Sequence, residues 1–594
     1  MPIRKTWKVL APAPENFKNQ FPQYSGTVLN LLFHRLFSGS QDYPQSQKEI
    51  DEFFNPDYRD GLHDPFLFRQ MEKVVGRILE AKARKEKTAI FGDYDVDGIT
   101  SCTVLYNTLR QLGIRPIVYI PDRRQEGYSM NVAAVKYLKA KKVKLIITVD
   151  CGIRDREEIQ KAQKWGIDVI VTDHHLSGEN LPPAYAIINP HVKNETYPCT
   201  ELAGVGVSYK LAAALIQSQP KKFPPGFDKW LLDLVALGTV ADLVPLVGEN
   251  RTLVKYGLIV LGKTQRAGIR SIFELARIPL SNKIVPDTSQ ISFQIAPRLN
   301  AAGRMDHANA SFELLKTSDP KEALKIAQEL EKKNGERQRL TDKIVREIES
   351  RIDLKKRVIF AGDLDWPVGV AGLAAGKICE RYARPVFIYN ISKGKCRGSI
   401  RSISKFKVVQ VLEQCKDLLT DYGGHDFAGG FTFPAKNEKK LRLRLNKIAN
   451  KLLKPEDLAW ETRIDERLEL AKINWDLFTD LKKMEPFGVG NPTPLFLAEQ
   501  VELTSCQTVG NGQKHLKMWF RNGNTSVESI AFGKGEKYCT LVNKSPLERG
   551  AEATPRRGVS PVLLDIVFEI TSDEWNGQKK LQLIVRDLRL SPNK

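Results

Sequence analysis

The spacing of apolar and polar positions divides the chain into stretches of different character. Residues 1–84 contain "GTVLNLLFHRLF" and "FRQMEKVVGRILEAKARK", whose apolar positions recur at helical spacing, and they are expected to be mainly helical. From residue 85 short apolar runs alternate with helical patterns. "TAIF" precedes "ITSCTVLYNTLRQLG" and "PIVYI" precedes "NVAAVKYLKAKK"; then come "KLIITVD", a helix near 155–165 and "DVIVTDHH". Short buried runs between helices predict a parallel, doubly wound α/β sheet spanning 85–310, closed by "LLDLVALGTVADLVPL". Residues 311–352 read as a helix connecting two lobes, charged on most faces and bridging through solvent. A second α/β lobe is expected over 353–458, from "KRVIFAGD" through "RPVFIYN" to "YGGHDFAGGFTF". Residues 459–594 turn to short strands joined by Gly and Asn, the pattern of a small β-barrel with the OB-fold as its leading candidate. Within them "VNKSPLERGAEATPRRGVSPV", 542–562, breaks the alternation and reads as a flexible insertion loop.

Composition narrows the class. At 594 residues the chain exceeds what one core organises. The 91 Lys and Arg against 70 Asp and Glu leave a formal charge of +21, which suits a polyanionic partner such as nucleic acid, although solvated basic faces alone would give the same balance. Eight scattered cysteines without a CxxC pair exclude a zinc ribbon and give no support to a disulfide framework. No apolar run reaches bilayer-spanning length, and "MPIRKTWKVL" lacks a signal-peptide core, so a cytoplasmic protein without a membrane partner is expected.

The candidate chemistry sits at the ends of the first lobe's strands, where an open α/β sheet presents its loops. One strand ends in Asp93, Asp95 and Asp97, the next in Asp150 of "VDCG", and the third in Asp173, His174 and His175 of "TDHH"; Asp242 of "VADLVP" follows an apolar helix. Taken singly, an aspartate at a strand end is most simply a helix cap or turn former, and a His-His pair a polar loop. Jointly, four acidic ends call for a cation. Carboxylates with one or two imidazoles suit Mn²⁺ or Mg²⁺, and this many carboxylates can hold two ions bridged by one aspartate, a recurrent device for splitting phosphodiesters.

In order and spacing, "GDYDVDG", "VDCG", "TDHH" and "VADLVP" resemble motifs I to IV of the DHH phosphoesterase superfamily. "APRLNAAGRM" (296–305), "GSIRSIS" (398–404), "YGGHDFAGG" (422–430) and "MEPFGVGNPTPLF" (484–496) resemble its RecJ branch, the single-strand-specific 5′→3′ exonucleases. The resemblance implies a DHH phosphoesterase lobe, a connecting helix, a DHH-associated substrate-binding lobe and an OB-fold barrel. It further implies Asp95, Asp97, Asp150, His174 and Asp242 as ligands of two Mn²⁺ or Mg²⁺ ions, with Asp150 bridging. Asp93 lies alongside as ligand or support, and His175 faces the scissile phosphate. An anion pocket for the 5′ end would comprise Arg123, Arg298 or Arg304, Ser399 and Arg401, with His425 holding the substrate phosphate. Guanidinium forks suit phosphate, and Gly423 and Gly424 would let backbone N–H groups approach an anion.

Two positions depart from the family pattern. Phe91 stands where many relatives begin motif I with His, removing one possible ligand, and Pro367 stands where a Trp-His pair usually places its His. Other signals are weaker. "LAGVGVSYK" (202–210) lacks the phosphate-loop arrangement and reads as close packing at a helix start, and "GVGNP" (488–492) reads as a turn. Of His515, Trp519 and Phe520, offered as base-stacking residues, alternation buries about half.

The function expected from these features is hydrolysis of single-stranded DNA from its 5′ end to mononucleotides, in repair and recombination. The protein would act as a monomer beside a helicase and a single-strand-binding protein. Two alternatives stand beside it. One is a DHH oligonucleotide or cyclic-dinucleotide phosphodiesterase, disfavoured by the large C-terminal barrel. The other is a catalytically silent DNA-binding scaffold, disfavoured by the retained carboxylates.

Overall fold

The computed structural model describes residues 5–36, 47–123, 126–127, 129–281, 283–305, 307–535, 562–575 and 578–592. It divides into two units: Asp57–Trp460 forms one, and Lys5–Pro56 joins Glu461–Lys594 in the other.

The first lobe of the larger unit is built on five parallel strands. In spatial order they are Ile117–Tyr119, Lys87–Gly92, Val143–Val149, Asp168–Thr172 and Ala186–Ile188. Their apolar runs are buried on both faces, with Ala89, Ile90 and Phe91 fully enclosed, because helices cover the sheet on either side. After Lys87–Gly92 the chain crosses to one side of the sheet, and after Ile117–Tyr119 it returns to the other. The strand order therefore reverses between Lys87–Gly92 and Val143–Val149, and at such a point the following loops diverge and leave a crevice at the carboxyl edge. Asp93 and Asp150 are the first residues past these two strands.

Residues 311–352 hold the end of a short helix, Asn309–Lys316, and one long helix, Pro320–Glu349, capped by Asp319 with Pro320 in its first turn. The long helix does more than bridge through solvent. Its early turns bury Ala323, Ala327 and Leu330 in the core of the first lobe, and its last turns bury Ile344, Val345 and Ile348 in the core of the second. A single helix thereby feeds two cores. The second lobe is a mixed sheet in the order Asp421–Gly424, Ala428–Pro434, Lys395–Arg401, Val386–Ser392, Ile359–Asp363, in which only the last two run parallel.

In the smaller unit, strands Phe496–Val509, His515–Asn522, Thr525–Ala531, Gln578–Leu590 and Leu563–Trp575 follow one another, and the last pairs back to the first, closing a five-stranded barrel. Alternation works as expected along His515–Asn522. Phe520 lies in the barrel core, so it is no stacking platform, while His515 and Trp519 remain half-buried. The "GVGNP" turn is closed by reciprocal backbone bonds between Gly488 and Asn491. The insertion expected at 542–562 lies, Val562 apart, outside the described residues.

The described residues of the N-terminal stretch 1–84 are mainly helical, as expected, but they do not form one segment. The stretch opens with a strand, Lys5–Val9, and its helices Glu15–Gln20, Gly26–Leu36 and Gln47–Phe54 share a core with the barrel. Phe17, Leu31 and Leu32 pack there beside barrel residues such as Phe496 and Leu503, and Arg35 forms a buried ion pair with Asp465 at 2.7 Å. The rest of the stretch, from Asp57, belongs to the other unit, Asp57–Trp460. Helical spacing reveals an amphipathic face but not which of two distant cores it will join. Among the described residues no helix is long and apolar enough to cross a membrane.

Candidate metal centre and anion cleft

The strand-end aspartates are held individually before they meet. Asp95 caps the helix Val96–Gln111 by accepting the Gly98 N–H at 3.1 Å. Gly98 packs so closely that a β-carbon there would lie 2.5 Å from the Asp93 carbonyl oxygen. Asp97, in the first turn of that helix, accepts the N–H groups of Gly204 at 2.7 Å and Val205 at 2.8 Å, the start of the helix Gly204–Ser218. The glycine-rich "LAGVGV" stretch is thus a close-packed helix start, with an added role the sequence did not reveal: it clamps a carboxylate. Asp150 takes a left-handed backbone conformation (φ 59°) and donates its N–H to the Thr172 carbonyl at 3.0 Å. Asp242 ends the helix Leu232–Asp242, where the negative end of the helix dipole opposes its carboxylate.

These groups converge. The His174 Nε2 lies 3.2 Å from Asp150 Oδ1, 3.7 Å from Asp242 Oδ2 and 3.9 Å from Asp97 Oδ2. Ligand atoms of Asp97, His174 and Asp242 lie within 4.8 Å of one another, as do those of Asp93, Asp95 and Asp150, and those of Asp150, His174 and His175. Asp150 is common to two of the three groups. Burial, reinforced by mutual repulsion, pushes Asp93, Asp97 and Asp150 well above the usual carboxylate range, and burial beside Asp95 pushes Asp242 up to about 7. Burial, then the neighbouring His175, lowers His174 to about 4, so its imidazole is neutral and able to ligate. Among the described residues, Asp93 Oδ1, Asp150 Oδ1 and His174 Nε2 are buried without a hydrogen-bond partner. Unpaired acceptors crowded around a shared point are what a divalent cation satisfies, and this oxygen-rich set with one imidazole fits Mn²⁺ or Mg²⁺.

A pH dependence follows. A carboxyl group whose pKa is raised on folding keeps its proton in the folded state, so its contribution to stability is greatest below the unfolded pKa. That contribution falls as pH rises toward the folded value, near 7 for Asp242. A cation replaces those protons, so the rise in melting temperature on adding Mn²⁺ is expected to grow between about pH 5 and pH 8. Differential scanning fluorimetry with and without EDTA checks this, and an increment independent of pH contradicts it.

His175 has a separate support. Asp173, fully enclosed, accepts its Nδ1–H at 2.8 Å and also accepts the N–H groups of Ile153, His174 and His175. Burial opposes the charged imidazole, but the hydrogen bond and field of Asp173 outweigh it and raise the pKa of His175. Held in this way, the ring forms part of the wall of a large cleft. Asp173 is one of the strand-end residues of "TDHH", but the resemblance gives it no role of its own.

The cleft has a volume of about 1020 Å³ and lies between the two lobes of the larger unit. Arg123, Arg304 and His175 line it from the first lobe, Ser399 and His425 from the second. Arg401 lies beside Ser399, since a β-carbon on Gly372 would sit 3.4 Å from both side chains. Burial and the fields of Arg123, Arg337 and Arg401 lower the pKa of Arg304 to about 10. Guanidinium groups whose fields act on one another in this way suit an anion. Arg123 also lies 5.0 Å over the ring of Tyr94, another wall of the cleft. Arg298 does not join them: its guanidinium forks onto Glu331 of the long helix at 2.6 Å. Gly424 (φ 142°) is demanded by its hairpin, where a β-carbon would meet the Ala428 carbonyl at 2.3 Å, whereas Gly423 is open.

Neither departure disturbs the carboxylates. Phe91 is fully buried among apolar side chains and stacks on Tyr119 at 5.3 Å, so position 91 is a core position in this chain. Pro367 precedes the helix Val368–Tyr382 at the cleft wall. Gly204 is the sensitive neighbour: a β-carbon there would fall 2.6 Å from Asp150 Oδ1. Gly204→Ala is expected to cost about 1–3 kcal/mol of stability and to weaken Mn²⁺ binding, as thermal melts and Mn²⁺ titration would reveal.

A reversed strand order with carboxylates and histidine at its switch point, and a second lobe closing an arginine-lined cleft, define a DHH-type phosphoesterase. Comparison with known proteins agrees: residues 87–239 match the DHH family N-terminal domain, 355–451 the DHHA1 domain and 464–587 the RecJ OB domain. The single-stranded-DNA-specific exonuclease RecJ of Bacillus subtilis is 36% identical over 592 residues, covering 98% of this chain and 71% of the relative. That of Haemophilus influenzae is 31% identical and covers 96% and 98%. The crystal structure of RecJ in complex with Mn²⁺ from Thermus thermophilus superimposes with a TM-score of 0.80 at 27% identity, over 100% of this chain and 80% of that one. A Mg²⁺ complex of the same protein gives 0.73. This chain belongs to the RecJ family.

Proposed function

We propose that the chain is a metal-dependent exonuclease that degrades single-stranded DNA from its 5′ end to mononucleotides. The observation that carries this reading is a cleft lined by Arg123, Arg304 and Ser399 whose wall also includes His175, which shares a ligand group with Asp150 and His174. A terminal phosphate held by Arg123, Arg304, Ser399 and Arg401 would present the next phosphodiester to the aspartates.

Asp93, Asp95, Asp97, Asp150, His174 and Asp242 would hold two divalent ions, with Asp150 shared. Bound there, such ions supply water activation and neutralise charge developing on the phosphate. The chain's own residues set the geometry. The N–H groups of Gly204 and Val205 fix Asp97, and Asp173 fixes the His175 ring at the cleft wall, where it would donate to a phosphate oxygen. His425 approaches from the second lobe. Burial of the arginines strengthens their pull on the terminal phosphate. We further propose a cytoplasmic role in repair and recombination, as a monomer working with a helicase and a single-strand-binding protein.

The test is incubation with Mn²⁺ and 5′-phosphorylated, 3′-labelled DNA, single-stranded or blunt duplex. Stepwise shortening of the single strand from its 5′ end, with release of mononucleotides, is expected. Equal digestion of the duplex would overturn single-strand preference. Binding without cleavage would overturn the enzyme reading.

A further inference from the structure

Arg154 stands apart from the anion pocket. It follows Ile153, whose N–H is held by Asp173, and it lines the same cleft while remaining exposed. Its Nε and Nη2 both donate to the Leu176 carbonyl, at 3.2 and 3.1 Å, so the guanidinium hangs from the residue directly after His175. Among the described residues its Nη1 makes no hydrogen bond, and its guanidinium forms no ion pair with an aspartate or glutamate. The charges also group separately. Arg123, Arg401 and Arg337 act on Arg304, whereas Arg154, after burial, acts on His425. Arg154 therefore belongs with His175 and His425, around the expected position of the scissile phosphate, and not with the residues expected to hold the 5′ end.

We infer that Arg154 is a positioning residue that binds the phosphate immediately 3′ to the scissile one. This rests on the exonuclease reading above. A strand anchored at its 5′ phosphate by the arginine cluster and crossing the carboxylates carries its next negative charge past His175, where Arg154 is the cation pinned in place. Hydrogen bonding to a main-chain carbonyl fixes the guanidinium without neutralising it, which lowers the ordering cost of contacting a phosphate. The side chain would thus make cleavage favour strands of three or more nucleotides over a dinucleotide.

The test compares full-length wild type with Arg154→Gln and Arg154→Lys on a 5′-phosphorylated dinucleotide, which has no phosphate 3′ to the scissile one, and on 5′-phosphorylated single strands of three and twenty nucleotides. Arg154→Gln is expected to lower kcat/KM about 10-fold on the longer strands, mainly through KM, and to leave the dinucleotide within twofold; Arg154→Lys should restore part of the loss. Binding to the twenty-nucleotide strand in EDTA should lose about 0.7 from its slope against log salt, one phosphate contact. Equal loss on all substrates, or no loss on any, would overturn the inference and leave the exonuclease reading intact. Failure of the wild type to cleave any of the three would sink that reading, and the inference with it.

Discussion

Asp150→Asn is expected to lower the rate of single-strand cleavage about 10³-fold or more while leaving the protein folded. Asparagine keeps the shape of the side chain and tolerates the left-handed backbone that Asp150 adopts (φ 59°). What it removes is the carboxylate common to the Asp93–Asp95–Asp150 and Asp150–His174–His175 groups. Without divalent ions the folded protein near pH 7 must hold a proton on Asp150 that the unfolded chain would release, a cost asparagine does not carry, so the variant should melt at a higher temperature than wild type. With Mn²⁺ the order should reverse, because wild type gains stability by binding and the variant does not. A parallel assay of cleavage and melting, with Mn²⁺ and with EDTA, reads both effects. A variant that is inactive and also less stable in EDTA would mean that Asp150 serves packing, not ion binding.

The second large effect is expected at Arg304. Its guanidinium is crowded by those of Arg123 and Arg401, an arrangement that costs stability until an anion fills it. Arg304→Ala should lower kcat/KM on 5′-phosphorylated single strands by about 10–150-fold, the range for losing charge-assisted hydrogen bonds, and should have little effect on 5′-hydroxyl strands. The free protein should become slightly more stable, since one of several mutually repelling charges is gone. Equal loss on both substrates would place Arg304 at the scissile phosphate and not at the 5′ end. Arg298→Ala is the natural control: its ion pair with Glu331 keeps it out of the cleft, and the phosphorylated preference should persist.

Much of this architecture is legible in the sequence, for a specific reason. Buried strands must be apolar along their length, so a polar residue marks the point where the strand leaves the sheet, and the carboxyl edge shows in "IFGDYDVDG", "VDCG" and "TDHH". What escaped were residues that act through partners distant in sequence. Gly204 and Val205 lie more than a hundred positions from the Asp97 they clamp. Asp173 reads as one more acidic strand end, yet its enclosed position makes it a hydrogen-bond acceptor for the loop that carries His175. Arg298 and Arg304 sit on the same helix, six residues apart, and no local pattern tells which one turns to the cleft. The long helix shows the same limit from the apolar side, its buried positions being few, widely spaced and divided between two cores.

By itself the sequence determined the kinds of layer, their order along the chain and the ligand types gathered at the sheet edge, because these follow from local periodicity and from the cost of burying polar groups. Only the tertiary structure decided that residues 5–56 return to share a core with the barrel, that Asp150 belongs to more than one ligand group, and which arginines meet in the cleft. Each of those outcomes depends on how distant segments pack, and packing energy is a property of surfaces brought together in space, which no window of neighbouring residues contains.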